Sequence, residues 1–236
     1  MAFYKAKRDE KSLKEFTGEG SKYLNKPGIY DTSVIAAFLN EAEKSEAATI
    51  DFFLEYQGEK QPLYGNWYIS KKDGKENESG IALLEKLMVI LDLEELSDPE
   101  EEELPIGKDS AMKVVPVIPE LTNFDVKIKI GIEYGKYNGN YTEKKVIKTF
   151  YRAEDGATAD EIVHDAEEKG KQYQKDLEYF EQNEDAGYKY NDGVTKEEIE
   201  AWVQAKRPRG TAGASSSAAT GTVKKPSFNK KRFSAK

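Results

Sequence analysis

Alternating apolar and polar residues predict five β-strands in the first two thirds of the chain. The clearest alternation covers residues 124–134, where an apolar side chain occupies almost every second position. The pair Asn138-Gly139 follows it and favours a tight hairpin turn into the next strand. The predicted strands are residues 28–39, 48–56, 62–70, 124–134 and 141–152.

Helical spacing predicts one helix between the third and the fourth strand. Ser79 is placed to cap a helix over residues 80–93, whose apolar side chains recur at helical intervals. The acidic run 94–103 that follows is expected to form a solvated loop. Three valines within residues 114–117 predict only a short extended piece.

Two further helices are predicted after the fifth strand, and a capping box marks the start of each. Thr158 pairs with Glu161 in the first box, and Thr195 pairs with Glu198 in the second. The buried stripe predicted for the first of these helices consists of Ile162, Ala166, Tyr173, Leu177 and Phe180.

Three strands, a helix and a two-strand hairpin follow one another in the order of the OB-fold, a five-stranded, partly open barrel. We therefore predict a mainly β chain with appended helices (α+β), built on an OB-like barrel with a helix between strands 3 and 4. An ordinary α+β domain with an antiparallel sheet is the competing architecture. The predicted divisions are an N-terminal arm (1–27), the OB-like domain (28–152), C-terminal helices packing on the barrel (153–206) and a disordered basic tail (207–236).

Charge is unevenly distributed along the 236 residues, whose overall net charge is −8. Residues 206–236 contain nine basic residues and no acidic ones, so the preceding 205 residues carry a net charge of −17. The tail has low complexity, and its charge suits a polyanion or the acidic body of the chain itself. With 34% charged residues and no long apolar stretch, we expect a cytoplasmic protein without a membrane span or signal peptide.

No set of residues suggests catalysis, so we expect a protein that is not an enzyme and needs no cofactor. The chain has no cysteine and a single histidine, His164, which excludes thiolate nucleophiles and multi-histidine metal sites. The acidic run 94–103 lacks the Asp/Asn-Gly spacing of a calcium loop. A metal-dependent nuclease that uses this run is a third hypothesis, weaker than the two non-enzymatic functions described below.

Aromatic and basic residues concentrate on the strands and the hairpin loop with which OB-folds bind oligonucleotides. Because every base has a π-face and every phosphate a charge, this combination predicts sequence-tolerant binding of single strands. The candidate rings are Phe53, Tyr64, Tyr68, Tyr137 and Tyr141. The candidate cations are Lys71, Lys72, Lys136, Lys144 and Lys148, with Arg232 in the tail.

Each ring also has a purely structural interpretation. Tyr64 and Tyr68 could pack under the C-terminal helices, Phe53 could be buried, and Tyr137 could be exposed without a ligand. Tyr134 continues the apolar face of its strand, and we expect it in the core.

The segments NWYISKKDGKENESGIALLEKLMVILDL and FDVKIKIGIEYGKYNGNYTEKKVIKTFY resemble bacteriophage single-stranded-DNA-binding proteins of the OB-fold kind, over roughly residues 28–152. The resemblance implies a non-catalytic protein that coats single-stranded DNA during phage DNA replication, recombination or repair. It also implies the cytoplasm of the infected bacterial host as location, and phage or host replication and recombination proteins as further partners.

The C-terminus departs from this family. Many single-stranded-DNA-binding proteins end in an acidic tail that recruits replication partners, whereas this chain ends KKPSFNKKRFSAK, which is basic and could add DNA affinity instead. The alternative hypothesis is a non-enzymatic protein–protein adaptor that recruits replication or recombination enzymes. The sequence leaves the oligomeric state open.

Overall fold

The structure is a computed structural model that describes residues 22–42, 45–191 and 193–206. Within that part of the chain, seven strands form one sheet, accompanied by four α-helices. The fold is therefore mainly β with a few helices, an α+β architecture, as predicted. Most of the N-terminal arm and the basic tail, including Arg232, lie outside the described residues. None of the helices in the described ranges is long and apolar enough to cross a membrane.

The strands and helices follow the predicted order, with three additions. The first helix, the hairpin and four of the five predicted strands are confirmed to within a few residues at their ends. The fourth predicted strand, residues 124–134, starts eleven residues earlier than predicted, at Lys113, and includes the short extended piece predicted at 114–117. β4, β7 and a break in the C-terminal helical region were not predicted. The elements are β1 (Gly28–Glu41), β2 (Ala48–Tyr56), β3 (Glu59–Tyr68), α1 (Glu78–Ile90), β4 (Glu100–Leu104), β5 (Lys113–Tyr137), β6 (Asn140–Arg152), α2 (Ala159–Val163), α3 (Lys171–Gln182), β7 (Tyr188–Tyr190) and α4 (Lys196–Lys206).

The strand β5 organises the sheet because it pairs along both of its edges. On one edge β1 pairs with it as far as Ile130, and β7 continues in parallel orientation from Ile132. On the other edge β4 pairs with its first residues, and β6 pairs with it from Val126 to the hairpin turn. Asn138 and Gly139 adopt positive φ angles of 48° and 78° in that turn, as a two-residue hairpin requires.

The sheet curls until β3 lies against β6, but no backbone ladder joins these two strands in the described residues. The Asn66 side-chain amide donates a hydrogen bond of 2.9 Å to the Lys145 carbonyl. Gly65 permits the close approach, because a Cβ there would lie 2.5 Å from the Ile147 side chain. The sheet is thus open and has seven strands, so the predicted five-stranded barrel is not confirmed.

The main core lies between the concave face of the sheet and α1. Phe52, Trp67 and Phe150 form a cluster of rings with centroids 5.4 to 6.1 Å apart, and Leu87 of α1 packs into the same core. The Trp67 indole nitrogen donates a hydrogen bond to the Gly80 carbonyl, which ties the start of α1 to β3. The helix begins at Glu78 with Asn77 at its N-cap, so the prediction that Ser79 caps it is wrong.

The acidic run was predicted to be a loop, but its second half, Glu100–Leu104, is the strand β4. Its apolar residue Leu104 and the nearby Ile106 are buried in a second core cluster, which also contains Phe38 and Phe53. Burial of these two side chains and pairing with β5 hold the segment on the sheet. The apolar signal in the run was too sparse to predict a strand.

One continuous helix was predicted from the Thr158–Glu161 capping box to Phe180, but the structure has two helices there, α2 and α3, with a break between them. Gly170 precedes α3 at φ 78°, a left-handed conformation that ends helical continuity. The Glu161 carboxylate caps both helices, because it accepts backbone hydrogen bonds from Thr158 and from Gln172. The capping box predicted at the start of α4 is present, with reciprocal bonds between Thr195 and Glu198.

Candidate nucleic-acid interface

Two tyrosine rings are exposed on the outer face of β3. Tyr64 and Tyr68 are 46% and 41% exposed, because alternation along the strand directs Leu63 and Trp67 into the core instead. The Tyr64 hydroxyl donates a hydrogen bond of 3.2 Å to the Ile106 carbonyl, which orients its ring. Both side chains therefore present open ring surface to solvent rather than packing beneath helices.

Phe53 is the predicted ring that is not accessible. It lies on the outer face of β2, as the alternation indicated, but only 5% of its surface is exposed. Leu104, Ile106 and Val115 cover it, because β4 and the segment after it fold over this face of the sheet. A buried ring cannot stack on a base, so we leave Phe53 out of the interface. The covering strand carries four exposed glutamates, Glu100–Glu103.

The β5–β6 hairpin has two faces, and the one beside α4 is occupied by the protein itself. The Lys136 ammonium lies 4.7 Å from the centre of the Tyr141 ring and 3.4 Å from a Glu198 carboxylate oxygen. Burial opposes the charge on this ammonium, but hydrogen bonds with Tyr141 and Glu198 raise the pKa of Lys136. The Tyr141 ring packs at 5.8 Å from Trp202. Tyr134 is buried on the same face, as predicted.

The opposite face of the hairpin carries a row of charges across β7, β5 and β6. Glu133 of β5 is directly opposite Lys189 on one side and Lys144 on the other. Its carboxylate lies 2.8 Å from the Lys148 ammonium and 3.8 Å from the Lys189 ammonium. The Lys148 hydrogen bond lowers the pKa of Glu133, which keeps the carboxylate charged. With three lysines around one glutamate, this lysine row (Lys144, Lys148 and Lys189) has an excess of two positive charges.

A cleft of about 860 Å³ opens beside the lysine row, between the hairpin and β7. Gly135 lies in the middle of it, and the exposed Tyr137 ring, 72% accessible, is at the hairpin tip. The residues lining the cleft are Glu133, Gly135, Lys136, Tyr137, Thr142, Lys144, Lys189, Tyr190 and Asn191.

The predicted site residues therefore separate into two groups on neighbouring strands. Tyr64 and Tyr68 of β3 are followed in the chain by Lys71 and Lys72, which are exposed in the turn before α1. The second group, on the hairpin, contains Tyr137 with the lysine row. The contact between β3 and β6 at Asn66 connects the two groups.

Lys189, Asn191 and Thr142 were missed from the sequence. Lys189 and Asn191 depend on β7, whose three residues are too short for a periodic signal. The alternation Tyr188-Lys189-Tyr190 directly after Gly187 was the only available indication of a strand.

No group of three or more acidic or histidine side chains in the described ranges is arranged to hold a metal ion. Comparison with known proteins identifies no relative: no protein-family model, no curated protein and no solved structure matches this chain.

Proposed function

We propose that this protein binds single-stranded DNA without sequence preference and without catalysing a reaction. The observation that carries the proposal is the combination of exposed rings at Tyr64, Tyr68 and Tyr137 with the lysine row on adjacent strands. Rings that keep open faces supply stacking for any base, and ammonium groups supply phosphate contacts.

The strand arrangement supports an OB-like interpretation of the curled sheet. The strands β3, β2, β1, β5 and β6 are neighbours in that order around the curl, and β3 meets β6 at the point where such a barrel would close. We propose a variant of that barrel whose β3–β6 seam has no backbone ladder, in keeping with the partly open character of OB-folds. The resemblance to phage single-stranded-DNA-binding proteins points in the same direction.

The cellular role that follows is to coat single-stranded DNA in the cytoplasm of an infected bacterial host. Phage DNA replication, recombination or repair would expose such strands, and the proteins of these processes are the expected partners. Because the chain up to residue 205 has a net charge of −17, most of its surface repels DNA. We therefore expect the strand to be held along the lysine row and the β3 rings rather than over a broad basic face.

Salt dependence provides a quantitative expectation. Each phosphate contact on a single strand contributes about −0.7 to the slope of log affinity against log salt concentration. Contacts from the lysine row alone give a slope near −2, so affinity should fall roughly 20-fold between about 50 and 200 mM salt.

Fluorescence anisotropy titration tests the proposal. A labelled oligothymidine of about 16 nucleotides, close to the upper site size of one OB-fold, is compared with a duplex of equal length. We expect tighter binding of the single strand and the salt dependence given above. Equal or tighter binding of the duplex, or no binding of the single strand at low salt, would contradict the proposal.

The same samples distinguish the other two hypotheses. An adaptor would leave the oligothymidine unbound and instead retain a replication or recombination enzyme. A nuclease would shorten the oligothymidine once Mg²⁺ is added, which electrophoresis of the titrated samples would detect.

A further inference from the structure

We propose that the cleft between the hairpin and β7 is a nucleotide subsite, in which one nucleotide of the bound single strand is held by Lys144, Lys189 and Asn191. This inference rests on the function proposed above. It extends the interface from the barrel-like part of the sheet to the C-terminal segment that forms β7.

The position of β7 is fixed by its backbone ladder with β5 and by the packing of its rings on Tyr134. Its ladder with β5 is continued by hydrogen bonds of 2.9 Å from the Ile132 amide to the Gly187 carbonyl and from the Asn191 amide to the Tyr134 carbonyl. Tyr188 and Tyr190 direct their rings inward, where they stack on Tyr134 at centroid distances of 6.1 and 5.8 Å. The outward residues of this segment, Lys189 and Asn191, are thereby held over the cleft.

Gly135 forms the floor of the cleft. A Cβ placed on this glycine would lie 3.5 Å from the Thr142 hydroxyl and 3.6 Å from the Asn191 side-chain amide. These two polar groups therefore flank a stretch of bare backbone. The space is available because position 135 has no side chain.

The chemistry of the cleft fits a nucleotide. The Asn191 amide and the Thr142 hydroxyl can donate to and accept from the polar edge of a base. The Tyr137 ring can stack on its face, and the Lys144 and Lys189 ammonium groups can contact the flanking phosphates. The volume of about 860 Å³ lies in the range of small-molecule sites.

The cleft also provides a reason to prefer single strands. In a duplex the base edges are paired and the faces are stacked, so a base must leave the helix before it can enter such a groove. A single strand presents its bases without that cost. Glu133 assists by holding the Lys148 and Lys189 ammonium groups in place, and it disfavours a phosphate directly above itself.

Substitution Gly135→Val tests the subsite by filling it. The φ of Gly135 is outside the left-handed region, and the added Cβ meets its neighbours at ordinary contact distances, so the strand should accept valine. The charge of the protein is unchanged. We expect a roughly tenfold loss of oligothymidine affinity, as for one lost base stack, with an unchanged melting temperature.

Substitution Lys189→Gln tests the phosphate contact independently of the steric effect. We expect the salt slope to become shallower by about 0.7. The matched control is Lys86→Gln, which removes an exposed lysine from α1 and should leave the slope unchanged. If Gly135→Val unfolds the protein, Asn191→Ala decides instead, because this exposed residue flanks Gly135 and lies outside the lysine row, so the proposed function alone predicts no loss of affinity.

The outcomes separate the subsite from the function. If the wild-type protein binds oligothymidine and Gly135→Val, or Asn191→Ala where the valine variant unfolds, binds it with wild-type affinity, the subsite is refuted and the proposed function stands. If the wild-type protein does not bind oligothymidine at low salt, the proposed function fails and the subsite fails with it.

Discussion

Replacing the two exposed rings of β3 tests how this protein would hold bases. In the double variant Tyr64→Ala, Tyr68→Ala both rings are removed from the outer face, while the inward residues of the strand are untouched. We expect a large loss of single-strand affinity and only a small loss of stability. The salt slope should stay the same, because neither side chain carries a charge at neutral pH.

The expected magnitude follows from the exposure of the rings. A fully stacked base contributes about 1–3 kcal/mol, and Tyr64 and Tyr68 expose a little under half of their surface. We therefore take about 0.5–1.5 kcal/mol for each ring, or about 1–3 kcal/mol for the pair. That corresponds to a loss of roughly 5- to 150-fold in affinity.

Anisotropy titration with oligothymidine at low salt measures this loss, and two control variants identify its cause. Tyr64→Phe keeps the ring but removes the hydrogen bond to the Ile106 carbonyl, so it should cost about 0.5–1.5 kcal/mol of stability and little affinity. Tyr179→Ala removes a ring that is 53% exposed on α3 and should bind normally. Wild-type affinity in the double variant, or an equal loss in Tyr179→Ala, would refute the reasoning.

Three further predictions concern β4 and Ile106, which cover Phe53, and the Arg152–Asp155 ion pair after β6. Replacing Glu100–Glu103 with glutamine should raise single-strand affinity roughly threefold at low salt. The effect should vanish above about 0.5 M salt, where exposed charges are screened. Unchanged affinity in the low-salt titration would contradict this prediction. Ile106→Ala should lower the free energy of unfolding measured in urea by about 2–4 kcal/mol, because Ile106 is buried in the same cluster as Phe53. A loss below about 1 kcal/mol would show that Ile106 packs loosely there. The hydrogen-bonded Arg152 guanidinium lowers the pKa of Asp155 from 3.8 to about 2, so the stability from this pair should be present above about pH 4 and lost as the pH falls towards 2. Since the carboxylate is about one third exposed, we expect about 1 kcal/mol, and urea unfolding of Asp155→Asn should lack this part of the acid loss.

The local elements of the sheet were predictable because their signals are local. Alternation along residues 124–134 and the Asn138-Gly139 pair specify a strand and its turn without reference to the rest of the chain. The exposure of Tyr64 and Tyr68 follows from the same alternation. The curl of the sheet was only partly predictable. Whether the sheet closes into a barrel depends on a backbone ladder between β3 and β6, and the approach of these two strands is set by side-chain packing at Gly65.

The rest of the site depends on contacts between distant segments. The burial of Phe53 requires Leu104 and Ile106, which lie some fifty residues further along the chain. They directly follow the acidic run 94–103, whose composition predicts a solvated loop. Lys189 joins the lysine row only because Tyr188 and Tyr190 anchor a three-residue parallel strand on Tyr134. No period in the sequence indicates a pairing of this kind.

The most direct test of the account is to identify the residues that contact DNA in the complex. Ultraviolet cross-linking of the wild-type protein to oligothymidine, followed by mass spectrometry, would identify them. We predict cross-links at Tyr64, Tyr68 and Tyr137, and their loss at high salt. Cross-links at the exposed Tyr23 or Tyr179, with none at the three predicted rings, would contradict the account.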